Sequence, residues 1–291
     1  MRYKGMVIRP PSEAESYILQ VTYGCSHNRC TFCPTYLDKP FMMRPAAEVF
    51  EDIELAGRTL PTVRRAFLAD GNALVLSNRR LLPVLTALRQ RFPRLNRIGS
   101  YANAPDILGR SHEELVQLRK ALLSIIYIGL ESGDNVVLER VNKGATVEEM
   151  VEAVRRAQDA GMKVSVIGLL GLGGTERSQE HAVATARAIA AMSPRYFSLL
   201  TLMVVPGTEL WEEERRGDFA LPSPLDLLGE MRIVVDHLTD LGGTIFRTNH
   251  ASNYVALAGI LSRDRERLLS AIDDCLGKGP PALRREWMRG L

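Results

Sequence analysis

Three cysteines stand within nine residues, in the segment Gly24-Cys25-Ser26-His27-Asn28-Arg29-Cys30-Thr31-Phe32-Cys33-Pro34. Thiolates are soft ligands, and thiols spaced this closely wrap the chain around one centre. A structural zinc site wants four ligands, usually as two separated pairs. No second pair is present, and His27, the candidate for a fourth ligand, sits within a tight loop. An iron–sulfur cluster normally takes four cysteines; three leave one iron without a protein ligand, and an open coordination position is where a substrate binds. A cluster is therefore the favoured chemistry, with zinc, redox-active thiols or inert thiols as the alternatives. Cys275, alone on a helical pattern, reads as a small buried hydrophobe.

The cysteines directly follow the first of six strand-like segments, which are predicted at Tyr17–Tyr23, Arg65–Ala69, Arg97–Tyr101, Ser124–Leu130, Lys163–Leu170 and Tyr196–Val204. Most are short and close to continuously apolar, as strands buried on both faces of a parallel sheet must be. Helical patterns alternate with them at about 45–57, 77–91, 111–120, 146–160 and 178–191. Ser111 with Glu114 and Thr146 with Glu149 form capping boxes, and Gly161 ends the fourth helix. Val147, Met150, Val151, Val154 and Ala157 make one apolar stripe for packing on a sheet. Such a run of βα units dictates an α/β fold with right-handed crossovers, and sites in such folds form at the C-terminal ends of the strands. Pattern alone does not separate an open doubly wound sheet from a full or partial barrel. After about residue 220 the alternation is expected to stop. Ser223-Pro224 opens a helix to about Leu241, a strand follows at Thr244–Arg247, a helix at about 264–276, and then a charged, mobile tail.

The chain has 291 residues, 46% hydrophobic and 24% charged, enough for a sizeable core in an ordinary globular protein. A net charge of +3 is too small to argue for a nucleic-acid or membrane partner. No apolar run reaches the roughly 20 residues of a membrane helix, and the first residues lack the apolar core of a signal peptide. A cytoplasmic protein is expected, and in a reducing compartment clustered cysteines more often bind metal than pair.

With these residues in hand, the sequence resembles the radical SAM superfamily. The usual CxxxCxxC motif appears here as CxxxxCxxC, with Phe32 in the aromatic position before the last cysteine. Ala69-Asp70-Gly71-Asn72, after the second strand, is similar in place to the Gly-Gly-Glu segment that binds the methionine amino group, which offers Asp70, Gly71 and Asn72 to the cofactor. Gly129-Leu130-Glu131-Ser132-Gly133 followed by Asn142-Lys143-Gly144-Ala145-Thr146 resembles the GxESG…KGxT stretch of the branch that includes cobalamin-dependent members and methylthiotransferases. By that match Glu131 and Ser132 face the SAM ribose or amine and Lys143 its carboxylate. Gly168–Gly174, with Gly171 and Leu172, is similar to the glycine-rich adenine-side segment, and Val205-Pro206-Gly207-Thr208 to a turn of that branch. The resemblance implies a partial (β/α)6 TIM-like barrel over residues 16–220. An N-terminal segment (1–15) precedes it, and a C-terminal α-rich extension (221–291) caps it. It also implies a [4Fe-4S] cluster on Cys25, Cys30 and Cys33, S-adenosylmethionine as cofactor, and an electron donor such as flavodoxin or ferredoxin. The reaction implied is reductive cleavage of SAM to a 5′-deoxyadenosyl radical, which takes hydrogen from a small-molecule or peptide substrate.

Glycines after strands let backbone approach a ligand, and a carboxylate with an ammonium suits a zwitterion through charge-assisted hydrogen bonds. Substrate candidates are weaker: Tyr101 and Asn103 after the third strand, and Arg247, Asn249, His250 and Asn253 in one short polar stretch. That stretch reads either as a loop closing the barrel or as turn residues satisfying their own backbone. Without the added cysteine-bearing, cobalamin-binding or RNA-binding domains of the related branches, a stand-alone enzyme with one cluster is expected. The rival reading is a SAM-binding protein with a structural metal and no radical chemistry.

Overall fold

The computed structural model describes residues 2–239 and 241–290. In chain order its strands are Tyr17–Gln20 (β1), Thr22–Tyr23 (β2), Met42–Met43 (β3), Arg65–Ala69 (β4), Arg97–Tyr101 (β5), Leu123–Glu131 (β6), Lys163–Leu170 (β7), Tyr196–Thr201 (β8), Ile245–Arg247 (β9) and Ala258–Ile260 (β10). Its helices are Ala46–Thr59 (α1), Asn78–Arg91 (α2), Ala104–Leu108 (α3), His112–Lys120 (α4), Asn135–Arg140 (α5), Val147–Asp159 (α6), Ser178–Met192 (α7), Glu209–Arg216 (α8), Pro224–His237 (α9) and Leu261–Lys278 (α10). Eight strands hydrogen-bond in the order β1-β4-β5-β6-β7-β8-β9-β10, and β2 pairs with β3 apart from them. This mostly parallel sheet with interleaved helices is the α/β class that the pattern predicts, and it matches the partial barrel that the resemblance implies. No described helix is long and apolar enough to cross a membrane.

The residues fall into two compact units. The first holds the described residues up to Asn28, Thr35–Ile128 and Glu152–Val164. In it β1 pairs in parallel with β4, β4 with β5, and β5 with β6, with a register shift at Ile98/Gly99. Leu19, Phe67, Leu68, Ile98 and Ile126 are buried along these strands, with Val49, Ile53 and Ala56 of α1 and Leu81, Leu85 and Leu88 of α2. The capping box of α4 is formed: Glu114 N donates to Ser111 Oγ at 3.2 Å and Ser111 N to the Glu114 carboxylate at 2.9 Å. Phe67, Tyr101 and Tyr127 meet edge-on at 5.1–6.0 Å between centroids. Glu13, from the segment before β1, is buried against them. Its carboxylate accepts from Tyr127 OH at 2.5 Å and Arg97 at 2.8 Å.

The second unit holds Arg29–Pro34, Gly129–Val151 and the described residues from Ser165 onward. Here β7 pairs in parallel with β8, and β8 with β9. The alternation therefore runs past residue 220. α9 leads into β9, which adds a seventh parallel strand, and β10 closes the edge antiparallel to β9. A strand of three residues is too short for a periodic pattern to reveal its partner. The second capping box is also present: Glu149 N donates to Thr146 Oγ1 at 3.2 Å and Thr146 N to the Glu149 carboxylate at 2.8 Å.

Candidate functional site

The cysteine loop divides between the units after Asn28, so its two parts are described in turn. In the first unit, the turn after β4 grips the backbone on both sides of Cys25. Gly24 N donates to the Asp70 carboxylate at 3.3 Å, Ser26 N to Asn72 Oδ1 at 3.0 Å, and Gly71 N to Gly24 O at 3.1 Å. A Cβ on Gly71 would stand 2.7 Å from Cys25 Cβ, so only glycine permits this approach. Asp70 and Asn72 are fully buried. The Asp70 carboxylate pairs with the buried Lys39 ammonium at 3.0 Å and accepts from Gln20 at 3.0 Å. The Asn72 amide also donates to Ser26 Oγ and to the Asp106 carboxylate. The side chains that the resemblance offers to the cofactor thus hold the Cys25 turn itself. Burial pushes the Asp106 carboxyl up, and the bonds from Asn103 and Asn72 oppose the rise.

In the second unit, Cys33 N donates to Cys30 O at 3.2 Å, closing a turn. Phe32 packs against the buried cluster of Val137, Val141, Leu169, Leu172, Leu202, Leu210 and Phe219. Thr31 ties the same turn down, donating from N to Val141 O and accepting at O from Leu210 N. At the end of β6, Glu131 adopts φ 63°, and its carboxylate accepts from Lys143 Nζ at 2.9 Å. A Cβ at Gly129 would lie 1.9 Å from that carboxylate, so the first glycine of the motif makes room for the ion pair. Gly133 answers to α7 instead: a Cβ there would meet Ala184 O at 2.2 Å. Burial pulls the Lys143 ammonium down, but the charges of Glu131, Cys30 and Cys33 outweigh it and hold its pKa above the ordinary lysine value.

Ser132 is fully buried and Leu172 belongs to the apolar cluster. Gly171, at φ 85°, donates its N–H to the Glu230 carboxylate at 2.7 Å. Sequence reasoning missed Glu230 and His181. The available signal was a carboxylate inside the apolar stripe Leu227, Leu228, Met231, Val234 and Val235 of α9.

Among the substrate candidates, Tyr101 stands in the aromatic cluster, its phenol pushed up chiefly by burial. Asn103 caps α3, and its backbone N–H donates to the Asp106 carboxylate at 2.9 Å. Arg247 and Asn249 are exposed. His250 Nδ1 lies 2.9 Å from Ser252 Oγ, and burial with the Arg284 charge pulls its pKa down. Asn253 is buried and its amide is spent: the oxygen accepts from Thr201 Oγ1, and the nitrogen donates to Leu199 O and Thr248 O.

Among the described residues, no three Cys, His, Asp or Glu side chains converge as ligands of a single ion, and none of the four cysteines is in a disulfide. In a cluster each thiolate takes its own iron, which asks for a wider spread than a single ion does. The three thiols are partly exposed, and thiolates are the donor set that iron–sulfur clusters take.

The model of the radical SAM superfamily matches residues 19–212. The chain belongs to that superfamily. As a radical SAM chain it is an enzyme, and enzymes of this superfamily generally bind a [4Fe-4S] cluster and SAM. An uncharacterized methyltransferase of Pyrococcus horikoshii is 21% identical over 197 residues, 67% of this chain and 41% of its own length. Two solved structures share the fold. Coproporphyrinogen III oxidase (HemN) of Escherichia coli has a TM-score of 0.58 at 15% identity, over 90% of this chain and 69% of that one. The methyltransferase TsrM of Kitasatospora setae, with cobalamin and a [4Fe-4S] cluster bound, scores 0.54 at 20% identity, over 67% and 38%. The radical SAM chain thus spans well under two thirds of the methyltransferase relatives it matches.

Proposed function

We propose that Cys25, Cys30 and Cys33 hold a [4Fe-4S] cluster with one iron left for SAM, and that the protein cleaves SAM reductively to act on a substrate C–H bond. The observation that carries this reading is the Lys143–Glu131 ion pair, half-buried on a glycine-cleared turn that follows β6. When bound, the cluster supplies the electron that splits SAM into methionine and a 5′-deoxyadenosyl radical, drawn from a donor such as flavodoxin or ferredoxin.

The remaining work falls to the chain. Lys143 presents a fixed positive charge to the SAM carboxylate, and Glu131 presents acceptors to its ammonium or ribose hydroxyls. Asp70 and Asn72 act at one remove, fixing the backbone on either side of Cys25. Gly171 and the residues after it offer backbone to the adenine side, where a larger residue would meet Leu227 and Leu221. Tyr101, Arg247, Asn249 and His250 remain the residues proposed to face substrate.

The test is anaerobic reconstitution with iron and sulfide, reduction with dithionite, and measurement of 5′-deoxyadenosine after SAM is added. Its formation, and its loss in Cys25→Ala, Cys30→Ala and Cys33→Ala, supports the proposal. A cluster-loaded protein that binds SAM and never cleaves it, with any candidate substrate, favours the binding-protein alternative.

A further inference from the structure

A chain of buried polar side chains runs through the second unit behind the residues assigned to SAM. Asp134 N donates to Ser132 Oγ at 3.0 Å, and the same hydroxyl hydrogen-bonds with His181 Nδ1, 2.7 Å away. On the other side of the ring, His181 Nε2 lies 3.4 Å from Glu230 Oε1. That same oxygen accepts from Gly171 N at 2.7 Å, and Glu230 Oε2 accepts from Ser178 Oγ at 2.5 Å. Ser132, His181 and Glu230 are each buried to within 1% of complete. Buried polar side chains in mutual contact have few alternative arrangements and resist local distortion.

Its ends are informative. Ser132 follows Glu131, whose carboxylate holds Lys143, and Gly171 opens the glycine-rich turn after β7. Sheet hydrogen bonds end at those two places. Gly133 N donates to Thr185 Oγ1 of α7 and Arg177 pairs with Asp134, and the network adds a link to the Gly171 turn itself through one side chain from α7 and one from α9. Gly173 strengthens the link: a Cβ there would come within 2.9 Å of His181 Cβ, so the glycine-rich turn lies directly on the histidine.

We infer that Ser132, His181 and Glu230 are positioning residues that lock the Glu131 turn and the Gly171 turn into one geometry, so that the two regions assigned to SAM are set together. This rests on the SAM-binding role proposed above for Glu131 and Gly171. None of the three touches the ligand; each acts through backbone or through its neighbour. Coupling through such a contiguous chain of polar contacts needs direct evidence that both ends respond together.

Amide hydrogen exchange on the cluster-loaded protein, read on peptides covering 130–135 and 168–175, supplies that evidence without relying on turnover. Ser132→Ala is expected to speed exchange about tenfold at 168–175, and Glu230→Leu likewise at 130–135, each at the end remote from the substitution. Both variants are expected to weaken SAM binding about tenfold with iron content unchanged, and Glu230→Gln, which keeps an acceptor for Gly171, to recover most of that affinity. Remote segments that exchange as in the wild type would overturn the inference, as would SAM affinity unchanged in both variants. A wild-type protein that shows the exchange coupling but binds no SAM would instead sink the assignment of the site, and with it the purpose given to the lock.

Discussion

At the scale of single residues, the most exposed claim is that each side chain's chemistry and its space are matched. Cys30→Ala is expected to abolish iron binding while circular dichroism and unfolding midpoint stay near wild type, because a partly exposed thiol contributes little packing. A variant that keeps full iron would remove Cys30 from the ligand set. Gly129→Ala is the sharper test, since the added methyl competes with the Glu131 carboxylate for the same space. Displacing Glu131 from Lys143 is expected to cost about tenfold in SAM affinity, roughly 1.4 kcal/mol, with cluster content intact. Equal affinity would show that the ion pair is not what SAM reads. The three cysteines stand out in sequence by type and spacing, whereas Glu131 and Lys143 are named only through the resemblance. Asp70 and Asn72 were legible only as places. A residue following a strand can point outward or back into its own turn, and burial, which sequence does not print, decided for the turn.

At the scale of elements, three strands carry the predicted boundaries, Arg65–Ala69, Arg97–Tyr101 and Lys163–Leu170, because continuous apolar runs end sharply at polar or glycine residues. Those missed are short: α3, α5 and α8 run five to eight residues, too few turns for a periodic stripe. The GxESG turn joins an element to its neighbour through Gly133, where a methyl would strike Ala184 O. Gly133→Ala is expected to destabilise the protein by about 2–3 kcal/mol, seen as a lower urea midpoint; a loss within about 0.5 kcal/mol would mean that α7 can yield. The start of α10 carries a pH dependence. Arg263 and the Ile260 N–H hold the Asp264 carboxyl down at about 2. Because this folded value lies below the unfolded one, about 3.9, the carboxylate's stabilisation is full above pH ~4 and fades as pH falls toward 2. The Tm gap between wild type and Asp264→Asn should therefore be constant above pH ~4 and close toward pH 2. A gap that persists at pH 2 would exclude the charge as its cause.

At the scale of the whole molecule, six βα units could be counted in the sequence because each strand and helix carries its own period. After them the helix from Ser223-Pro224, the strand at Thr244–Arg247 and the helix at about 264–276 were also legible, as α9, β9 and α10; that β9 joins the parallel sheet, and β10 beside it, was not, because each has three residues, and the final segment has no period at all. That segment reads as a charged tail, yet the structure ties it down through Arg284, which donates to Ala251 O at 2.9 Å, and above all through Arg289. Arg289 is only 2% exposed at its side chain. Its guanidinium donates to Ser252 O at 2.7 Å, Tyr254 OH at 2.6 Å and Leu202 O at 3.3 Å, and it lies 4.1 Å over the Tyr254 ring. Leu202 follows β8 and Tyr254 follows β9, so the last residues of the chain pin the polar stretch 247–254 to the strand end beside it. A planar fork reaching three oxygens while stacked on a ring is work that lysine cannot copy. Arg289→Ala is therefore expected to cost about 2 kcal/mol of stability from the lost charge-assisted bonds and the cation–π contact. Arg289→Lys should recover less than half of that, and exchange should rise across 248–254 in both. Stability unchanged on losing Arg289 would mean that its fork adds nothing to the loop, whose order then comes from Asn253, Ser252 and the Arg284 contacts.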